Sequence, residues 1–300
     1  MNTTNAHRRV PGWGTVLPEQ ARTVGLAIRR ELLLVLAFGV GATVFGLVMV
    51  QLRPGVVGGG IPPAGDLSLM AGTIGFFFPL LVWKAEKRHE PSHLWTLPVN
   101  HQRHALTKVL AGWGWLMLLL GVSLAWLLAV GQLMGMEAGI DGTRWVLGDV
   151  PAGANAAGPG GSVEMAWSTP AWQWFVPFTA ATAAYALGSA FVLATDHVWG
   201  WGIGIYVLLG TIVVMLEVGA SQRVFEPFWE GFFNPPFGLD TLLSSGEETL
   251  TYWHQPLDGE RGVEVWNALP TFRAWVTGTL LWTGLALVAL GAASMRHREG

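Results

Sequence analysis

The densest group of residues able to do chemistry lies between Lys84 and Lys108. Within it, His89-Glu90-Pro91-Ser92-His93 matches His-Glu-x-x-His, the pattern in which two histidines hold zinc and the glutamate activates water. That chemistry needs one continuous helix, because only helical spacing brings both imidazoles to the same face. Pro91 removes a helical hydrogen bond between them, at a cost of about 3 kcal/mol in a helix interior. The pentapeptide is also flanked by Lys84, Glu86, Lys87, Arg88 and Arg103, which make a charged loop instead of an apolar helix. Leu257-Asp258-Gly259 echoes the distal aspartate of membrane zinc metalloproteases, but the charge distribution described below puts it across a bilayer from His89. A zinc protease is therefore set aside and no metal site is expected. His101 and His104 read as solvated loop residues.

Phosphate chemistry is sparse as well. A phosphate-binding loop needs a lysine after glycine, because that ammonium reaches the terminal phosphates. The lysines here are Lys84, Lys87 and Lys108, and none follows a glycine. ATP cannot be held in that way, and no cofactor site is expected within this chain. Cysteine is absent, which removes disulfides, thiolate metal sites and thiol nucleophiles. The chain is not expected to be an enzyme by itself, and no nucleic-acid partner is expected.

The elements carrying these residues follow from the hydropathy pattern. Of 300 residues, 51% are hydrophobic and only 12% are charged. A soluble domain carries about 25% charged residues. Mean hydropathy is +0.43. The apolar residues come in blocks long enough to cross a bilayer core, which needs about 20 residues of helix. Six spans are predicted, at 31–52, 67–83, 109–132, 172–195, 197–217 and 274–295. The fourth is entered through Ser168-Thr169-Pro170, and the second is expected to kink at Pro79. Period-2 alternation of the kind that builds a membrane barrel is not evident in these spans. The expected fold is all-α and integral to a membrane, with 1–300 as one transmembrane domain.

Positive charge sets the orientation. With the N-terminus inside, the inner segments carry twelve of the 17 Lys and Arg residues, and the outer segments carry Arg53, Arg144, Arg223, Arg261 and Arg273. Fourteen of the 20 acidic residues fall outside. Both termini are thus expected on the cytoplasmic side of an inner membrane. Trp83, Trp172, Trp174, Trp199, Trp201 and Trp275 lie near predicted span ends and read as interfacial anchors. The spans contain no charged residue in their cores, so a proton relay is not expected and the driving force must come from elsewhere.

Outside the spans, the leader 1–30 holds a stretch, Glu19 to Arg30, in which Ala21, Val24 and Ile28 share one helical face. It reads equally as an interfacial helix or as a plain basic leader. In the loop 84–108, a knob of Leu94, Trp95, Leu97, Pro98 and Val99 sits among charges, the composition of a docking surface. The outer stretch from Glu137 to Glu164 includes Pro151 to Gly161, which reads as a flexible tract of low complexity. The outer segment 218–273 is rich in aromatic residues, and is expected to dip back toward the membrane as short helices or to pack on a partner.

The chain resembles the permease subunits of ABC-2 type exporters. Those share six helices, an N-terminal amphipathic helix, a long outer segment before the last helix, and a first inner loop with charges followed by Leu-x-x-Pro-Val-Ser-Arg. Here Leu94 to Val99 fit that loop and Lys108 falls at the family's spacing after Pro98, while Asn100 and His101 replace Ser-Arg. The resemblance implies a dimer, with a second copy or a related permease, in contact with membrane lipid. It also implies a separate nucleotide-binding ATPase subunit that carries ATP and magnesium. Glu86, Arg88, Glu90, Leu94, Trp95, Leu97 and Pro98 would couple that subunit to transport. A membrane assembly factor that keeps the fold without transporting is the alternative.

Overall fold

The computed structural model describes residues 13–52, 64–84, 101–134, 141–147, 161–195, 200, 204, 207, 211, 231–232, 237–243, 248–252 and 263–296. Most of them are helical. The helices are α1 (Trp13–Leu52), α2 (Ala64–Val82), α3 (His101–Leu133), α4 (Val176–Ala194), a short α5 (Leu239–Leu243) and α6 (Phe272–Arg296). A 3-10 turn, Ala171–Phe175, leads into α4. Long apolar runs with no water to satisfy the backbone close their hydrogen bonds within the helix, so this composition resolves into rods.

Among the described residues, three stretches are long and apolar enough to cross a membrane: Gln102–Leu133, Ala171–Ala194 and Phe272–Arg296. A shorter apolar helix covers Leu67–Val82. Their outward faces are apolar as well. Leu280 and Val288 on α6 are 70% and 71% exposed, and Leu33, Leu34, Val35 and Leu36 follow one another on α1 while all remain exposed. Four consecutive exposed apolar residues leave that turn no aqueous face, as in a helix lying in hydrocarbon.

Side-chain contacts fix the helix directions. α1 and α3 run side by side in the same direction, joined by Trp115 to Ala21 and by Trp126 to Thr43. α4 and α6 are also parallel, joined at Thr179 and Trp275. The helices fall into a pair, α1 with α3, and a trio, α2 with α4 and α6. Within the trio, small residues bring backbones together. A Cβ at Gly75 of α2 would lie 2.6 Å from the carbonyl oxygen of Ala181, and one at Gly188 of α4 would overlap the carbonyl oxygen of Phe76. α5 packs among α2, α4 and α6, with Leu242 buried beside Ala180 and Ala183.

The all-helical expectation is corrected at one end of the bundle. Four strands, β1 (Asp141–Val146), β2 (Val163–Ser168), β3 (Glu248–Tyr252) and β4 (Val263–Ala268), form a sheet in the order β2-β1-β4-β3. β1–β2 and β3–β4 are antiparallel, and β1–β4 is parallel with Trp145 opposite Val265. The outer stretches 137–164 and 218–273 therefore contribute strands to one sheet, while the flexible tract expected at 151–161 lies, apart from Gly161, outside the described residues. Arg144 explains part of its cohesion. Its guanidinium lies 3.6 Å from the ring centroid of Trp266 and 5.3 Å from that of Trp167, across two strand neighbours.

Candidate functional site

The coupling residues read from the sequence, Glu86, Arg88, Glu90, Leu94, Trp95, Leu97 and Pro98, lie outside the described residues, as do His89, His93 and Asp258. The structure does describe both ends of that loop and what holds them. Since α3 begins at His101, its first turns project beyond the predicted span, and α1 extends past its own span at the same end. At 1.5 Å per residue, a bilayer core takes up only about 30 Å of either helix. The two overhangs pack together. Trp115 Nε1 donates to the Ala21 carbonyl at 2.8 Å, with its ring against Gly25, and Gln20 Nε2 lies 3.4 Å from His104 Nδ1.

The reading of Glu19–Arg30 changes accordingly. Val24 and Ile28 are fully buried in the main core, and Ala21 packs against it, while Arg22, Arg29 and Arg30 stay exposed. The apolar face is covered by protein, so it is not free to lie on lipid. Likewise His104 is part of α3 and half-buried, where the sequence suggested a solvated loop.

Around the loop's entry, Trp83 is buried, with the ammonium of Lys108 4.5 Å from its ring centroid. Trp83 is thus a packing partner of a buried lysine, not an interfacial anchor. Trp275 departs from the anchor reading for a similar reason, because it stacks on Trp172 at 5.1 Å and its indole N–H donates to Thr179. Lys84 Nζ reaches Glu31 Oε1 at 2.8 Å and ties the end of α2 to α1. Tyr185 of α4 donates to the Val109 carbonyl of α3 at 2.9 Å. The pair and the trio are therefore cross-linked at this basic end, where the loop 85–100 passes from α2, in the trio, to α3, in the pair.

The Lys84–Glu31 bridge is exposed on its lysine side, so salt should screen it. Lys84→Gln is expected to lower the melting midpoint slightly at low ionic strength and to leave it unchanged in concentrated salt. Scanning fluorimetry at two ionic strengths checks this.

Toward the sheet, the pair and the trio separate. A cavity of about 580 Å³ opens between α1, α2, α3 and the start of α4. No sequence pattern points to it. Trp126 and Thr43 lie in mid-span runs whose neighbours are equally apolar, and only the divergence of two helices turns them into a wall.

The described residues define a mostly helical protein with three helices long and apolar enough to span a membrane. Comparison with protein-family models, with curated proteins and with solved structures finds no match to this chain. Among the described residues, no group of histidine, aspartate or glutamate side chains is placed to hold a metal ion.

Proposed function

We propose that this chain is the permease subunit of an ATP-driven exporter of the ABC-2 type, resident in the cytoplasmic membrane. It would form a substrate path as a dimer and be driven by a separate nucleotide-binding subunit. One observation carries the reading: the charged loop 85–100 joins the α2–α4–α6 trio to the α1–α3 pair at the end where the two groups are cross-linked. A partner pressing on that loop would act on both groups at the point where their relative position is set. Beyond the Trp113–Thr182 hydrogen bond, toward the sheet, they part around the cavity.

Further features support the six-span, two-sided arrangement. α4 and α6 run in the same direction, so the chain between them has to return once from the basic end to the sheet end. Gly200, Gly204, Val207 and Thr211, within the predicted fifth span, are helical, and Thr211 Oγ1 donates to the Val207 carbonyl. The sheet gathers the two long predicted outer segments at one end, opposite Arg22, Arg29, Arg30, Lys84, Arg103 and Lys108. The position of α5 among three helices fits a segment that dips back from the outer side.

The test is purification from the native membrane with and without Trp95→Asp and Leu97→Asp. A charge at the centre of an apolar docking knob removes burial and leaves an unpaired carboxylate, the kind of change that costs an interface 2 kcal/mol or more, roughly 30-fold in affinity. The wild type is expected to carry an ATPase subunit and the double variant to lose it. A variant that retains the ATPase and its stimulation would refute the proposal.

A further inference from the structure

The cavity between the pair and the trio holds about 580 Å³, inside the range of roughly 300–1,000 Å³ typical of small-molecule sites. Thr43, Met70, Ile74, Trp126, Leu127 and Phe178 form much of its wall. Two of the wall's polar groups are engaged with each other: Trp126 Nε1 donates to Thr43 Oγ1 at 3.0 Å, and Thr43 Oγ1 donates to the Gly39 carbonyl at 2.8 Å. Water entering such a space would find few partners, and apolar cavities stay dry and accept apolar ligands instead. The space is open on one side, where Met70, Ile74 and Trp126 are exposed, and left empty its inner wall would forfeit dispersion contacts.

The surroundings indicate what fills it. The cavity lies partway along helices whose outward residues, Phe45, Leu118 and Val122, are exposed and apolar. An alkyl chain moving in from the surrounding hydrocarbon would cross no water. Among the described residues of α1 the buried ones are Val24 and Ile28, near the basic end, whereas Gly39, Ala42 and Thr43 face the void, so the space arises where α1 leaves α2. Met70 and Met134 supply flexible side chains that can follow a chain's contour. We propose that this cavity binds an acyl chain of a bilayer lipid as a resident ligand. The proposal does not depend on the exporter reading.

The test places the full-length protein in nanodiscs of phosphatidylcholine carrying a diazirine midway along one acyl chain. After illumination, adducts are mapped by peptide mass spectrometry. Adducts are expected to concentrate at Met70, Ile74, Trp126 and Leu127 over the outward-facing Leu280 and Val288. A Cβ at Gly39 would meet no atom within 4 Å, so Gly39→Phe can place its ring in the void without a backbone clash. It is expected to remove the cavity adducts and spare those at Leu280 and Val288. Gly41→Phe, equally open but off the wall, is expected to change neither. Even labelling of cavity and outer surface in the wild type would overturn the proposal, and that ratio is readable whether or not the variants accumulate. Undiminished cavity labelling in Gly39→Phe would overturn it too. So would labelling by a soluble diazirine amphiphile with none by the phospholipid, which would indicate a transported tail instead.

Discussion

Gly188→Ala is expected to melt below the wild type, by up to roughly 8 °C at about 2–4 °C per kcal/mol, whereas Gly284→Ala melts at or above it. At Gly188 the added methyl would overlap the carbonyl oxygen of Phe76 and lie 3.0 Å from its carbonyl carbon. These are backbone atoms of a neighbouring helix, and they cannot rotate away as a side chain would. Gly75 makes the reciprocal approach to Ala181, so moving α2 to relieve one contact strips packing from the other. Overpacking of this kind costs about 1–3 kcal/mol, and more where rigid groups meet. Gly284 on α6 has nothing within 4 Å of the equivalent point. Both substitutions gain the same helix propensity, about 1 kcal/mol for Ala over Gly in a helix interior. The difference between the two variants therefore isolates the α2–α4 contact. Scanning fluorimetry in one detergent, with yield of monodisperse protein as a second readout, checks it. Equal midpoints would mean that α2 and α4 are not in close contact.

Tyr185 is the second position of large effect. It is 1% exposed and ties the trio to the pair through its hydrogen bond to the Val109 carbonyl. Its hydroxyl also lies against Gly112, which leaves room for it, and its ring packs near Phe78 at 6.3 Å between centroids. Tyr185→Ala removes that ring from a packed interior and is expected to cost about 3–5 kcal/mol, the range for deleting a buried aromatic side chain. Tyr185→Phe keeps the ring and removes only the donor, for about 1 kcal/mol. In hydrocarbon, transfer from water contributes little to helix association, so most of the larger loss comes from van der Waals contact. Unfolding in denaturing detergent, followed for both variants, separates the two contributions. Similar losses for Phe and Ala would assign the position's importance to the hydrogen bond instead.

Both positions serve the same architecture. Gly188 holds the trio together, and Tyr185 locks it to the pair at the basic end. The cavity lies where no such lock exists. A loop that enters from Trp83 and leaves at His101 is attached to both groups within a few residues of the lock. In the proposed exporter, pressure on that loop would be felt as strain between the groups, with the acyl-filled space as the compliant side.

Much of this was legible in the sequence. The lengths of the apolar runs fixed α2, α3, α4 and α6, because a helix is what an apolar run becomes when its backbone has no water to turn to. The segregation of Lys and Arg marked one end of the bundle as basic for reasons that need no tertiary contact. The lack of a lysine after glycine ruled out a phosphate loop of the usual kind at the level of residue type alone. What only the tertiary structure decided depends on partners distant in sequence. β1 pairs with β4 across more than a hundred residues, and strands of five or six residues give little local signal of that pairing. Val24 and Ile28 could have faced lipid or protein equally well, and the overhang of α3 settled the choice. Trp83 looks like any other interfacial tryptophan until Lys108, a full loop away, is laid across it. The cavity belongs to no single segment, since it is the space left where α1 and α3 part from α2 and the start of α4.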